Sequence, residues 1–594
     1  MFSARHDELW GLLTMAKEKT GKISSIFTVV FVFWFILTPV FWHLDLSMGN
    51  YGSYDMFVMA PLGVLHLVIF FALGFISIYL GGLSFYHVLL FGAYFPFIQL
   101  SNYPILTIRD AYLHSAPTRT ILETGHLPVL SGANPESWSG SWPSSFFLQG
   151  ILVTVSGCDL IVANYILYLV LIIALCLIVY SFARKFRKKG YELAWAGALL
   201  FLCFFLNHLF DNFHHYARTP LGFVFLFFFF YSFIGLSDQH SPRSRIGLQL
   251  LLCISLVITH PFQSLALVAF LFAYSIITRK SESVKLALFS IVTFIGWVGF
   301  QGSVFSEGVG MLKAFLSPQF LEPVVETFSS SERMVWWGIV LRDFYKYSLL
   351  AFFAVAFLAA IVVIWRRQRT SITVGLSSVL LSSIVLFFCL LILPDWQINR
   401  FTAFAAFPAA FSSLILFEEA LKKGKLKKLL WARRLLSKRS TFAILLLFVI
   451  SLSAAVMVLR FERNYYYNEM SHSSELSSLN FFFDHDPNST VTFVSWRTQI
   501  YSSYFDNNSS HQRLRIWYSA LIEYAGNSSK FFEVQGQLIN QSQFVIRGMR
   551  DSYMLSQYFP GEALPEIIDE ELVASGFEMI YSNGHYWIYK RAGF

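Results

Sequence analysis

"LIVANYILYLVLIIALCLIVYSFARKFRKK" (residues 160–189) decides the class of this chain. From Leu160 to Ala183 it carries no charged residue. As a helix, such a run crosses a hydrocarbon core about 30 Å thick. It then ends in the dense basic cluster "RKFRKK" at 184–189. An apolar run closed by Lys and Arg is the signature of a membrane span whose basic end stays on the cytoplasmic side.

The rest of the sequence repeats that pattern. The chain has 594 residues, 56% hydrophobic and only 13% charged, with 65 Phe. Soluble domains carry about 25% charged residues, and a mean hydropathy of +0.56 points the same way. Further apolar segments fall near 24–44, 57–79, 83–100, 192–208, 220–236, 246–259, 262–278, 285–302, 347–365, 372–393, 401–417 and 441–459. With 160–182 they make about 13 expected spans in a mainly α, polytopic helix bundle. Segment 144–157 is short for a span and reads as crossing, re-entrant or interfacial. The first apolar run lacks a small-residue cleavage site and is expected to be an anchor.

Charge sets the expected orientation. With Lys17, Lys19 and Lys22 in the cytoplasm, alternation puts "RKFRKK", "PRSR" (242–245), "TRK" (278–280), "RRQR" (366–369) and "KKGKLKKLLWARRLLSKR" (422–439) on that side. The external loops become 45–56, 101–143, 207–219, 303–346 and 394–400. The net charge of +8 is therefore an orientation signal, and no nucleic-acid partner is expected. The five Cys form no CxxC motif and none lies in the tail, which excludes a disulfide scaffold there.

Two domains are expected: a membrane domain, 1–459, and an extracytoplasmic tail, 460–594. The tail ends in alternating stretches such as "FEMIYSNGHYWIYKR" (577–591) and reads as a small α/β or α+β domain. Its N-x-[ST] sequons, at Asn488, Asn507, Asn508, Asn527 and Asn540, occur nowhere else in the chain. They read either as glycosylation acceptors or as an Asn/Ser-rich surface.

Chemistry is expected where polar residues gather on the external loops. "TIRDAYLHSAPTRTILETGHLP" (107–128) begins with Thr107 and Asp110 at capping-box spacing. Asp110 and His114 are four apart, as are Arg119 and Glu123, so each pair shares a helix face. Pro117 predicts a break between two short helices, and Gly125 with Pro128 predicts a stop. Asp110 then either caps a helix or acts on a substrate, and Arg119–Glu123 is either functional or a solvated pair.

"NHLFDNFHHYARTP" (207–220) offers His208, Asp211, His214, His215 and Arg218. Asp and His at this spacing can hold a divalent ion, but without the defined spacing of a zinc site. "ITHPF" (258–262) places His260 between two apolar segments, as a ligand or a helix-end hydrogen-bonding residue. "LPDWQINRFTAF" (393–404) puts Asp395 and Arg400 at a span end, and the planar fork of Arg suits phosphate. Asp395–Arg400 pairing and snorkelling are the alternatives. Loop 303–346 holds Glu307, Glu322, Glu326, Glu332 and Asp343, among which sequence does not choose.

Many spans, a polar first external loop with an acid, and an external terminal domain resemble the GT-C superfamily of integral-membrane glycosyltransferases. Locally, "RDAYLHSAPTRTILETGHLP" is similar to the first external loop of oligosaccharyltransferase catalytic subunits and protein mannosyltransferase relatives. The tail has no WWDYG; "VWWGIV" (335–340) differs from it, which argues against an oligosaccharyltransferase proper. The resemblance implies Asp110 and Asp211 as catalytic acids that could also hold Mg or Mn. His114, Arg119, His215, His260 and Arg400 are the implied substrate-binding residues, with Arg400 on the phosphate. The implied partners are a polyprenyl-phosphate sugar donor in membrane lipid and a lipid-linked or protein acceptor. Two other classes compete: a transporter or flippase for a lipid-linked glycan, and a non-catalytic membrane scaffold. An ion-coupled transporter would need ionisable groups near span centres, where His66 and His87 are the main candidates.

Overall fold

A computed structural model describes residues 25–48, 61–81, 84–99, 109–125, 142–188, 216–235, 242–300 and 371–392. In the tail it describes 491–493, 513–515, 542–548, 572–582 and 586–592, and elsewhere a few isolated positions, among them 404 and 407–412. The described residues are mostly helical. Two compact units divide the chain. One comprises 1–101, 129–145 and 165–462; the other comprises 102–128, 146–164 and 463–594.

In the first unit, α1 (Ser25–Ile36) and α2 (Thr38–Leu44) meet at a 42° bend. Pro39 explains it, because proline has no N–H and its ring collides with the carbonyl four residues earlier. Helices α3 (Pro61–Gly81) and α4 (Phe85–Gln99) pack on this bent pair. Lipid tails are as apolar as Leu, so such helices are held by close packing and internal polar bonds rather than by exclusion of water. Phe31 stacks on Phe70 at 4.8 Å, and Phe70 lies 4.5 Å from Tyr94 between ring centres. Gly74 permits the approach: a β-carbon there would sit 2.5 Å from Phe91 Cζ.

After α5 (Arg109–Thr124) and α6 (Ser144–Ser156) comes α7 (Leu160–Lys188), with 29 residues. At 1.5 Å per residue it runs about 43 Å, longer than the hydrocarbon core. It therefore continues through the basic cluster instead of stopping near 182. There Phe182 and Phe186 are buried beside Phe411 while Arg184 and Lys188 stay exposed. Helix α8 (Arg218–Phe230) runs into a π-helical turn (Tyr231–Gly235). Then come α9 (Pro242–Thr259), α10 (Pro261–Thr278), α11 (Ser281–Phe300) and α12 (Ser371–Ile392).

Among the described residues, Leu160–Phe186, Pro261–Thr278 and Ser281–Phe300 are long and apolar enough to cross a membrane, and the bent α1–α2 pair makes a fourth. Helix α11 leaves Leu288, Val292, Ile295 and Phe300 exposed, a face suited to lipid. The chain is an integral membrane protein. The expected span at 441–459 lies outside the described residues, as do most of those at 347–365 and 401–417.

The second unit contains α5, most of α6 and a five-stranded mixed sheet of order β2-β1-β3-β5-β4. Strand β1 (Val491–Phe493) pairs in parallel with β2 (Arg513–Arg515) and β3 (Phe544–Gly548). Strands β4 (Phe577–Ser582) and β5 (Tyr586–Arg591) form an antiparallel hairpin, and β5 also pairs antiparallel with β3. Val545, Ile546, Ile588 and Tyr589 are fully buried at the sheet centre.

Candidate functional site

The stretch singled out in the sequence forms one uninterrupted helix. Helix α5 spans Arg109–Thr124 with Pro117 inside it, so the expected break into two short helices does not occur. A proline in a helix interior costs about 3 kcal/mol in isolation. Neighbouring helices and polar side chains can re-satisfy the backbone around such a proline. Pro117 is itself buried, and nearby Ser115 and Thr118 are fully buried and hydrogen-bonded through their side chains. The expected stop is present: Gly125 adopts φ +72° and donates to the Ile121 carbonyl at 2.9 Å. That left-handed cap is open to glycine without a Cβ penalty. Asp110 and His114 therefore lie one turn apart in a continuous helix. The capping partner Thr107 lies outside the described residues. Arg119 Nε donates to Glu123 Oε1 at 2.8 Å on the exposed end of the helix.

A buried polar network anchors α5 within its own unit. Thr118 Oγ1 donates to Gln149 Oε1 at 2.9 Å, and Gln149 Nε2 donates to Ser115 Oγ at 3.2 Å. Asn164 Nδ2 donates to the same Ser115 oxygen at 3.2 Å. These four side chains are at most 1% exposed. Sequence reasoning missed Gln149 and Asn164. The available signal was a lone amide in each of two apolar helices, which is costly in a membrane unless it is used.

A second polar cluster lies in the first unit, at the starts of helices. Ser144 Oγ donates to Thr259 Oγ1 at 2.8 Å, and the Tyr216 hydroxyl donates to the Ser145 carbonyl at 2.9 Å. Burial pushes the Tyr216 phenol up from its ordinary value, so it stays a neutral donor. His260 caps α10: its Nδ1 accepts from the Phe262 N–H at 3.2 Å, and Pro261 occupies the first helical position. That contact commits one imidazole nitrogen to the backbone. Gln263 Nε2 donates to the Thr219 carbonyl at 3.3 Å. Arg218, at the first position of α8, is 7% exposed.

The span-centre histidines are closed structural groups. The His66 Nε2–H donates to the Trp34 carbonyl at 2.7 Å, leaving Nδ1 to accept from the Tyr94 hydroxyl at 3.0 Å. Trp34 lies in the last turn before the bend, so His66 covers a carbonyl where the helix ladder is interrupted. Trp34 Nε1 donates in return to the His66 carbonyl at 3.0 Å. His87 Nδ1 accepts from the Ser84 N–H at 3.2 Å, as the third residue of a capping box does, and its Nε2 donates to Ser77 Oγ at 3.1 Å. Both rings thus have each nitrogen occupied by a hydrogen bond. The two main span-centre candidates for ion coupling are thus hydrogen-bonded to neighbouring helices and helix ends.

Asp211, His214, His215, Asp395, Arg400 and loop 303–346 lie outside the described residues. Among the described residues, no group of three or more His, Cys, Asp and Glu could hold a metal. The carboxylates of Asp110 and Asp211 are hard oxygen donors of the type Mg and Mn accept.

No family model matches the chain, and no curated protein matches it. Among solved structures, it is similar to the Archaeoglobus fulgidus oligosaccharyltransferase in complex with zinc and sulfate, at 12% identity over 85% of this chain and 73% of that one, TM-score 0.48. It is also similar to the archaeal oligosaccharyltransferase AglB from the same organism with an inhibitory peptide and a dolichol-phosphate: 12% identity, 86% and 74% coverage, TM-score 0.46. A third is ArnT from Cupriavidus metallidurans bound to undecaprenyl phosphate, at 10% identity, 82% and 93% coverage, TM-score 0.46. At these identities and scores, none of the three assigns an activity to this chain.

Proposed function

We propose that the protein is a membrane glycosyltransferase of the GT-C type. It moves a sugar from a polyprenyl-phosphate donor to a lipid-linked or protein acceptor on the outer face of the membrane. The observation that carries this reading is α5: a continuous helix bearing Asp110 and His114, locked by buried polar bonds, whereas the described spans are apolar. The occupied span-centre histidines favour it over ion-coupled transport.

The reaction balances without a redox partner. An acceptor hydroxyl or amide attacks the anomeric carbon, a carboxylate takes its proton, and the bond to the phosphate oxygen breaks to release polyprenyl phosphate. Asp110 and Asp211 are assigned the acid–base work, and they would hold Mg or Mn if the enzyme uses one. Such an ion would neutralise charge on the departing phosphate. His114, Arg119, His215 and His260 are assigned to substrate binding, and Arg400 to the phosphate. The N-terminus is placed in the cytoplasm and the tail outside it.

The test is transfer by purified full-length protein. Undecaprenyl-phosphate and dolichyl-phosphate mannose or glucose serve as donor probes, with membranes supplying acceptors. Asp110→Ala is expected to abolish release of the polyprenyl phosphate while inserting and accumulating normally. Full transfer by that variant would remove Asp110 from the site.

A further inference from the structure

We infer that Gln149 is a positioning residue, which fixes the rotation and depth of α5 and so the place of its Asp110–His114 turn. The inference rests on the proposed role of that turn. Gln149 spans two positions of α5 on one face, accepting from Thr118 at 2.9 Å and donating to Ser115 at 3.2 Å. Ser115 directly follows His114 and sits five residues beyond Asp110.

The amide is the group that fits. Its Nε2 also lies 3.5 Å from the Leu160 carbonyl, which can only accept, so the nitrogen belongs on that side. Thr118 additionally donates to the Phe146 carbonyl at 3.4 Å. Asn164 adds a second donor to Ser115 from the first turns of α7. Three segments, 109–124, 146–156 and 160–164, are therefore tied by one side chain and its neighbours. Ser115, Ala116, Pro117 and Thr118 of α5 are all buried, so the rotation of the helix has to be fixed at this turn. The amide fixes it through a donor and an acceptor at once.

Three variants test this in the full-length protein. Gln149→Leu keeps the bulk and loses both bonds. It is expected to lower kcat about 100-fold, the scale of an ångström-sized misplacement, with donor KM little changed. Gln149→Glu supplies the discriminating signature. Protonated, the carboxylic acid can accept from Thr118 and donate to Ser115; ionised, it can only accept. Burial raises a carboxyl pKa, so this variant should match wild type in acid and fall away as pH rises, while wild type does not. A general loss of packing would produce no such profile.

Wild-type kcat in Gln149→Leu, or a wild-type pH profile in Gln149→Glu up to alkaline pH, overturns the inference. If Gln149→Leu does not accumulate, Thr118→Val, which conserves shape and removes the hydroxyl's bonds to Gln149 and the Phe146 carbonyl, is expected to lower kcat and takes its place; unchanged kcat there also overturns it. If wild type turns over no donor, the proposed function fails by itself. The positioning is then judged by amide hydrogen exchange over residues 109–118. Faster exchange in Gln149→Leu supports it, and unchanged exchange overturns it.

Discussion

The α1–α4 bundle and the α5–α6 pair use polar groups in opposite ways. In α1–α4 both buried histidines close on the scaffold: His66 covers a carbonyl beside the bend, and His87 caps a helix and reaches Ser77. Around them Phe31, Phe70, Phe71 and Phe91 fill the space. In the α5–α6 pair the amide and hydroxyls of Gln149, Ser115 and Thr118 lock the helix that carries Asp110 and His114. A membrane helix tolerates a polar side chain when it is satisfied. What it is satisfied by separates structure from function.

Substitutions can break that comparison. The largest effect is expected from Asp110→Ala: transfer is lost and thermal stability is unchanged. A large drop in Tm would make Asp110 a structural residue like His66. Next is His66→Ala, which leaves the Trp34 carbonyl without its imidazole donor and opens a cavity. A loss of about 2–5 kcal/mol is expected, with specific activity per folded molecule intact, read by thermal unfolding alongside the transfer assay. Gly74→Val forces a side chain between Phe31 and Phe91 and should cost about 1–3 kcal/mol, again without changing specific activity.

Smaller effects sharpen the comparison. His260→Ala removes a helix cap and is expected to cost about 1 kcal/mol. A fall in donor affinity beyond that loss would give His260 the substrate role as well. Arg119→Gln breaks an exposed pair worth about 0.3–0.5 kcal/mol. Its effect on stability should vanish in high salt, whereas an effect on donor KM that persists after correction for stability would mark Arg119 as a substrate contact.

Several features were legible from local chemistry. The junction at His260 falls between the expected spans 246–259 and 262–278, because "THPF" combines a cap with a proline. Gly125 ends its helix where expected. The alternating tail segment is the β4–β5 hairpin. Continuity through Pro117 was not legible. The local cost of the proline is visible in sequence, while the bonds from Gln149 and Asn164 come from residues more than thirty positions away in the chain.

The amino-acid sequence by itself determined that this is a membrane protein, and it marked the helix ends at Gly125 and His260. Those properties follow from hydropathy, capping and charge, which act over a few residues. Tertiary structure decided that α5 is one helix, that His66 and His87 are committed to the scaffold, and that Gln149 holds Ser115 and Thr118. Each of these depends on whether a buried donor meets an acceptor from another helix, and a linear pattern does not encode that meeting.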